Sequence, residues 1–241
     1  MDVLQDMIDV DSEAGPMAVL HTRPAEGSAR RVGIFFDAPG IRDVTHAFCQ
    51  KLAAEGYDVV VPDLYHRHQR LFHATPEMAD ADPTLRPRIG ELMATLVDTE
   101  IQQDMADAMA GVGWDDSPVG CIGFCLGARA VHRAMTERPG TFVAGSMFHP
   151  SFLADDKDDS PHLSVGQLTG GLHIGIGTAD EIQSIAMHQR YFDGIASMDN
   201  VELTIFAGAD HGFTWPGGAN HHADASDTCF TKTMALFDAS L

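Results

Sequence analysis

Apolar residues follow two different periods along this chain. Six strand-length blocks are almost continuously apolar: "RVGIFF" (31–36), "DVVVPD" (58–63), "VGCIGF" (119–124), "TFVAGSMF" (141–148), "LHIGIG" (172–177) and "VELTIFA" (201–207). Between them the period lengthens to that of a helix. Val44, Ala47, Phe48 and Leu52 recur at helical spacing after Asp43, which sits where a helix cap belongs, and Gly56 marks the stop. Further helices are predicted from about 85 to 110, 126 to 138 and 181 to 195, with a last one closing the chain. The alternation predicts an α/β fold with a mostly parallel central sheet and crossover helices. Because the strand blocks are continuous rather than alternating, helices should cover both faces of that sheet. A His- and Arg-rich loop follows the second block, and "DDKDDS" (155–160) reads as a solvated loop. There is no internal repeat and no low-complexity linker, so one domain is expected over residues 1–241.

Composition narrows the partners. The 241 residues are 44% hydrophobic, enough for one sizeable core. The formal charge is −20, which disfavours nucleic acid and anionic membrane as partners. "MDVLQDMIDV" carries three aspartates where a secretory leader would be basic and then apolar, and no apolar run approaches the roughly 20 residues of a membrane span. Cysteines 49, 121, 125 and 229 have neither disulfide-scaffold nor zinc spacing, so a reduced, cytoplasmic protein is expected. Nothing demands more than a monomer or small homo-oligomer.

The chemistry concentrates in "GFCLG" (123–127). G-x-C-x-G is the form of a nucleophile elbow, in which the chain turns sharply from strand to helix and lifts the nucleophile above the sheet. The glycines would relieve crowding where strand and helix meet. The start of the helix would favour a thiolate at Cys125, and the amide of Leu126 is placed to donate to a developing oxyanion. A free cysteine is also often just a small buried hydrophobe, so the elbow must be supported by partners. In the α/β-hydrolase fold these follow in the order nucleophile, acid, base, on loops after later strands. "TAD" after 172–177 offers Asp180, and "GADHGF" after 201–207 offers His211. Asp210 competes with Asp180 as the acid, and Asp180 alone reads equally as a helix cap. His66, His68 and His73 lack an acidic cluster at ligand spacing, so no metal site is expected. His149, in "FHPS" at a strand end, is a pocket candidate, and Phe213 is another wall candidate.

These pieces together resemble the dienelactone hydrolase family of α/β-hydrolases. The matching stretches are "FFDAPGIRD", "LAAEGYDVVVPDLY", "IGFCLGARA", "GTAD" and "ADHGFTWP", spread from residue 31 towards the C-terminus. The resemblance implies a Cys125, Asp180, His211 triad and hydrolysis of a carboxylic ester or lactone without a cofactor. It places Asp37 in the slot of a carboxylate that helps activate the thiol, where glutamate is usual, and makes the amide of Ala38 a second oxyanion donor. In the lactone-cleaving members arginines grip the substrate carboxylate. One of those positions here is Trp215, and Arg86 or Arg88 corresponds to another. The loss of a guanidinium clamp implies a less charged ester, lactone or thioester as substrate. A thioesterase or acyl transferase would use the same triad, and a silent small-molecule binder would keep only the pocket.

Overall fold

The computed structural model describes residues 2–241. The chain forms two compact units, Met1–Ser117 and Pro118–Leu241.

The first unit opens with a hairpin the apolar pattern did not reveal. Strands β1 (Val3–Ser12) and β2 (Gly15–Pro24) pair antiparallel through a tight turn that Gly15 closes at φ +104°. β3 (Arg31–Phe35), α1 (Asp43–Ala54) and β4 (Asp58–Pro62) follow, close to the predicted spans. β3 and β4 run parallel, β2 and β4 antiparallel, giving the order β1-β2-β4-β3. The predicted long helix over 85–110 is in fact two, α3 (Leu85–Met93) and α4 (Asp98–Gly111), preceded by a short α2 (Pro76–Ala81). The break has a local cause. Thr95 turns its hydroxyl back onto Leu92 O at 2.7 Å, and Val97 is extended, so two β-branched residues flank the point where helical bonding stops. Helices cover both faces of this unit's sheet: Gln5 of β1 bonds towards α1, while Val10, on the opposite pleat, packs against Gly111 of α4.

The second unit is wholly parallel. Strands β5 (Val119–Phe124), β6 (Phe142–Phe148), β7 (Gly171–Gly177) and β8 (Val201–Phe206) pair in sequence order. α5 (Gly127–Glu137) covers one face and α7 (Ala223–Ser240) the other. Side-chain alternation shows it: Gly145 faces Met135 and Val131 of α5, whereas its neighbour Ser146 bonds Thr233 of α7 at 2.8 Å. β5 is buried along its whole length, as its unbroken apolar sequence requires, and β8 is half exposed. The predicted helix over 181–195 forms only in part. A 3-10 turn at Ile185–His188 leads into α6 (Gln189–Ile195), and the preceding residues stay irregular.

Candidate active site

The elbow forms where β5 meets α5. Cys125 has φ +52°, in the left-handed region, which costs a non-glycine residue about 1–3 kcal/mol. The surroundings hold it there. Its amide donates to Phe148 O at 3.1 Å, and its carbonyl accepts from Ser151 N at 2.9 Å. Gly123 answers a steric demand: a Cβ there would stand 2.2 Å from Gly127 O and 2.7 Å from Ala128 N, so the helix could not close onto the strand. Cys49, Cys121 and Cys229 are buried, and burial pushes each of their thiols up. Cys125 is the half-exposed one, at the start of an 11-residue helix whose amides favour negative charge.

The loops after β7 and β8 are zipped together before they present Asp180 and His211. Gly177 ends β7 so close to the loop after β8 that a Cβ would meet Ala209 O at 1.9 Å. Thr178 N donates to Phe206 O at 2.9 Å and Ala179 N to Ala209 O at 3.0 Å. Asp180, almost fully buried, then accepts from Gln183 N through Oδ1 and from His211 Nδ1 through Oδ2, both at 2.7 Å. Asp210 is occupied differently: its Oδ1 accepts from the backbone amide of His211 at 2.6 Å. The imidazole therefore pairs with Asp180. The irregular backbone over 178–184 is what allows this, since a helix starting at 181 would fix Asp180 as a simple cap.

His211 Nε2 is buried and has no hydrogen-bond partner among the described residues. The Cys125 sulfur nearby is turned instead to Ser151 Oγ, at 3.3 Å. Burial alone would lower the His211 pKa. The Asp180 carboxylate and the adjacent Cys125 sulfur outweigh burial and raise it to about 10. A histidine whose pKa is raised on folding stabilises the native state fully below its unfolded value, about 6.5, and the contribution fades as pH rises towards 10. Wild-type stability in urea should therefore fall between pH 6.5 and 10, and that decline should flatten in His211→Gln. Parallel curves for the two proteins would contradict the assignment.

Aromatic rings wall this pair. His149, fully buried at φ +39°, sets its ring 5.1 Å from that of His211, edge to face, and its Nε2 bonds Thr214 Oγ1 at 2.8 Å. Trp215 stacks on Phe124 at 4.3 Å and is nearly buried. Phe213 is fully buried between Phe206 and His149, a packing position. The structure thus gathers Cys125, Asp180, His211, His149 and Trp215 within the second unit. Sequence reasoning missed three neighbours. Ser151 contacts the sulfur, Gln183 bonds Asp180 through its amide, and the buried His188 donates through Nε2 to Pro150 O at 2.9 Å. Only the "HPS" that follows β6 hinted at Ser151.

The remaining candidates lie in the first unit. Asp37 is buried just past β3 and forms an ion pair with Arg42. Ala38 O accepts from Tyr65 Oη at 3.0 Å. Gly40, at φ +81°, closes this turn where a Cβ would strike Phe72 O. On α3, Arg86 is exposed and paired with Asp80 at 2.7 Å, and Arg88 is half-buried, paired with Glu91 at 2.9 Å and Gln69 at 2.8 Å. Among the described residues no group of three His, Cys, Asp or Glu could hold a metal ion, and no helix is long and apolar enough to cross a membrane. His66 is engaged with Asp104 at 3.2 Å instead.

Comparison with known proteins places the chain in a family. The model of the dienelactone hydrolase family matches residues 17–241. The chain belongs to the dienelactone hydrolase family. A carboxymethylenebutenolidase of Rhodococcus opacus is 30% identical over 129 residues, 54% of this chain but only 47% of that protein. An Escherichia coli O157:H7 protein provisionally given the same name is 22% identical over 246 residues, covering 98% of this chain and 87% of its own. Two structures share the fold. One, from Klebsiella pneumoniae and provisionally called a dienelactone hydrolase, gives a TM-score of 0.83 at 20% identity, with 99% of each chain covered. The other, a dienelactone hydrolase-like promiscuous phosphotriesterase from metagenomic libraries, gives 0.75 at 18% identity over 100% of this chain and 99% of its own. The α/β fold expected from the strand and helix pattern, and the α/β-hydrolase fold implied by the resemblance, are the fold of this family member.

Proposed function

We propose that this member of a hydrolase family cleaves carboxylic ester or lactone bonds with Cys125 as nucleophile, Asp180 and His211 as its acid and base partners, and residues 1–241 as one catalytic domain. The observation that carries this reading is the buried Asp180–His211 pair whose free Nε2 faces the elbow that holds Cys125. His211 takes the proton of the Cys125 thiol, the sulfur attacks the carbonyl carbon, and the oxyanion forms beside the amide of Leu126. The carbon–oxygen bond to the alcohol then breaks, and the leaving oxygen takes its proton from His211. Water attacks the resulting thioester, His211 accepts the water's proton, the carbon–sulfur bond breaks to return the Cys125 thiolate, and the carboxylic acid is released. Asp180 keeps the imidazole in the orientation and tautomer that these transfers need.

The test is hydrolysis of a panel of short-chain p-nitrophenyl esters, beside a dienelactone, by the wild type and Cys125→Ala. Turnover that vanishes with the sulfur supports the reading, and turnover that survives overturns it.

Trp215 carries the substrate preference. It presents an indole where carboxylate-gripping relatives would use a guanidinium, and it lies beside the His149–His211 pair. A neutral ester or thioester suits that wall better than a carboxylate-bearing lactone. Trp215→Arg should raise kcat/KM for the carboxylate-bearing substrate relative to a neutral ester by about tenfold, the scale of one charge-assisted hydrogen bond. An unchanged ratio would remove Trp215 from the pocket. Four cysteines that are all free fit a reducing compartment, so we place the protein in the cytoplasm, as a monomer or small homo-oligomer.

A further inference from the structure

We propose that Ser151 is a catalytic residue, its hydroxyl donating a hydrogen bond to the Cys125 sulfur whenever that sulfur carries negative charge. The inference rests on the reading of Cys125 as nucleophile. Its ground is geometric. Ser151 Oγ lies 3.3 Å from Sγ, and Ser151 itself is 1% exposed, so its hydroxyl is shielded from bulk water on its own side of the contact.

The short segment that carries Ser151 is fixed at every step. His149 N donates to Gly175 O at 2.8 Å, Pro150 O accepts from His188 Nε2 at 2.9 Å, Ser151 N donates to Cys125 O at 2.9 Å, and Phe152 N donates to Gln183 Oε1 at 3.2 Å. His149 and Phe152 bracket it with positive φ values of +39° and +60°, strained conformations that other contacts must hold in place. A serine whose only task was to fill space would need none of this. The same segment braces both members of the reacting pair, since the ring of His149 abuts that of His211 while Ser151 meets the sulfur.

The chemistry gives the hydroxyl two occasions to act. In the resting site, Ser151 O–H stabilises the thiolate. In deacylation, the carbon–sulfur bond breaks, the sulfur leaves as an anion, and a donor already aimed at it lowers the cost of that departure. The hydroxyl keeps its proton throughout, and His211 remains the group that moves protons. The other ionisable groups near Cys125 in this unit are His211 with Asp180, the buried His149 and His188, and Arg129 one turn into α5, which is ion-paired to Asp155 and Asp159. His211 lies beside the same sulfur, so Ser151 and the imidazole share it.

The experiment measures the rate of iodoacetamide alkylation of Cys125, located by peptide mass, from pH 5 to 10.5, in wild type, Ser151→Ala, Ser151→Gly and Ser151→Thr. Thermal melting confirms that each variant is folded. Losing a donor to a charged sulfur should slow alkylation about tenfold at pH 6 in Ser151→Ala. The deficit should vanish or reverse at the alkaline end, where every thiol is ionised and the unbonded sulfur is the stronger nucleophile. Ser151→Gly should behave like Ser151→Ala, and Ser151→Thr should recover the wild-type profile. Profiles that superimpose on the wild type, or that drop by one factor at every pH, would overturn the role, the second pattern being that of a structural residue. The two readings fail differently. If His211→Ala leaves the wild-type profile unmoved, the nucleophile assignment itself falls, whatever Ser151 does.

Discussion

Cys125→Ala should lower kcat for a short-chain ester by on the order of 10,000-fold or more, with the fold intact. The size follows from how a nucleophile and its base act as a unit: removing either leaves only binding and oxyanion stabilisation. The expectation of an intact fold follows from position. Cys125 is half-exposed, with its sulfur against polar groups of Ser151 and His211, so deleting it opens no core cavity. A Tm within about 2 °C of wild type would mark the loss as chemical, because changes at exposed positions stay near 0.5 kcal/mol. A variant that retains a tenth of the activity would point to another nucleophile, with Ser151 the first to examine.

The second large effect concerns the glycine before the elbow. Gly123→Ala places a Cβ against the backbone of α5 on three sides, with Gly127 O at 2.2 Å, Gly127 C at 2.4 Å and Ala128 N at 2.7 Å. No side chain can swing aside to relieve those contacts, so the helix must shift. Overpacking against a fixed neighbour costs about 3 kcal/mol, which for a chain of this length lowers Tm by about 10 °C. Activity should fall further than stability, because the same shift moves Leu126 and the Cys125 backbone. Gly140→Ala is the control. It lies in the same unit with nothing within 4 Å of the added methyl, and should leave both Tm and kcat close to wild type. Equal Tm values for the two variants would show that Gly123 is not required for the close approach.

How much of this was legible beforehand depends on how local each signal is. The elbow was readable because Gly123, Cys125 and Gly127 sit within five residues and their spacing is itself the mechanism. Asp180 and His211 were readable because a parallel sheet delivers strand ends to one edge, so residues just past "LHIGIG" and "VELTIFA" come together whatever the loops do. The β1–β2 hairpin was not readable. β1 places Leu4, Asp6 and Asp9 towards solvent, and its polar alternation masked a strand that the tight turn at Gly15 completes. The helix break near Thr95 and the irregular stretch before α6 were hidden because both sequences keep an apolar period through a segment whose backbone bonds go elsewhere. Asp37 and the choice between Arg86 and Arg88 rested on resemblance. The structure adds their ion pairs with Arg42, Asp80 and Glu91. Ser151 was marked only by its place in "HPS" just past β6, since its approach to the sulfur follows a positive φ at His149 that no local residue preference signals.

The most direct test of the central claim is to catch the covalent intermediate. Wild-type protein mixed with a p-nitrophenyl ester, quenched in acid within the first turnover and weighed intact, should carry one acyl group. Peptide mapping should place that group on Cys125, and Cys125→Ala treated in the same way should carry none. An acyl group found on another residue, or turnover with a burst of nitrophenol but no acylated Cys125, would contradict the account.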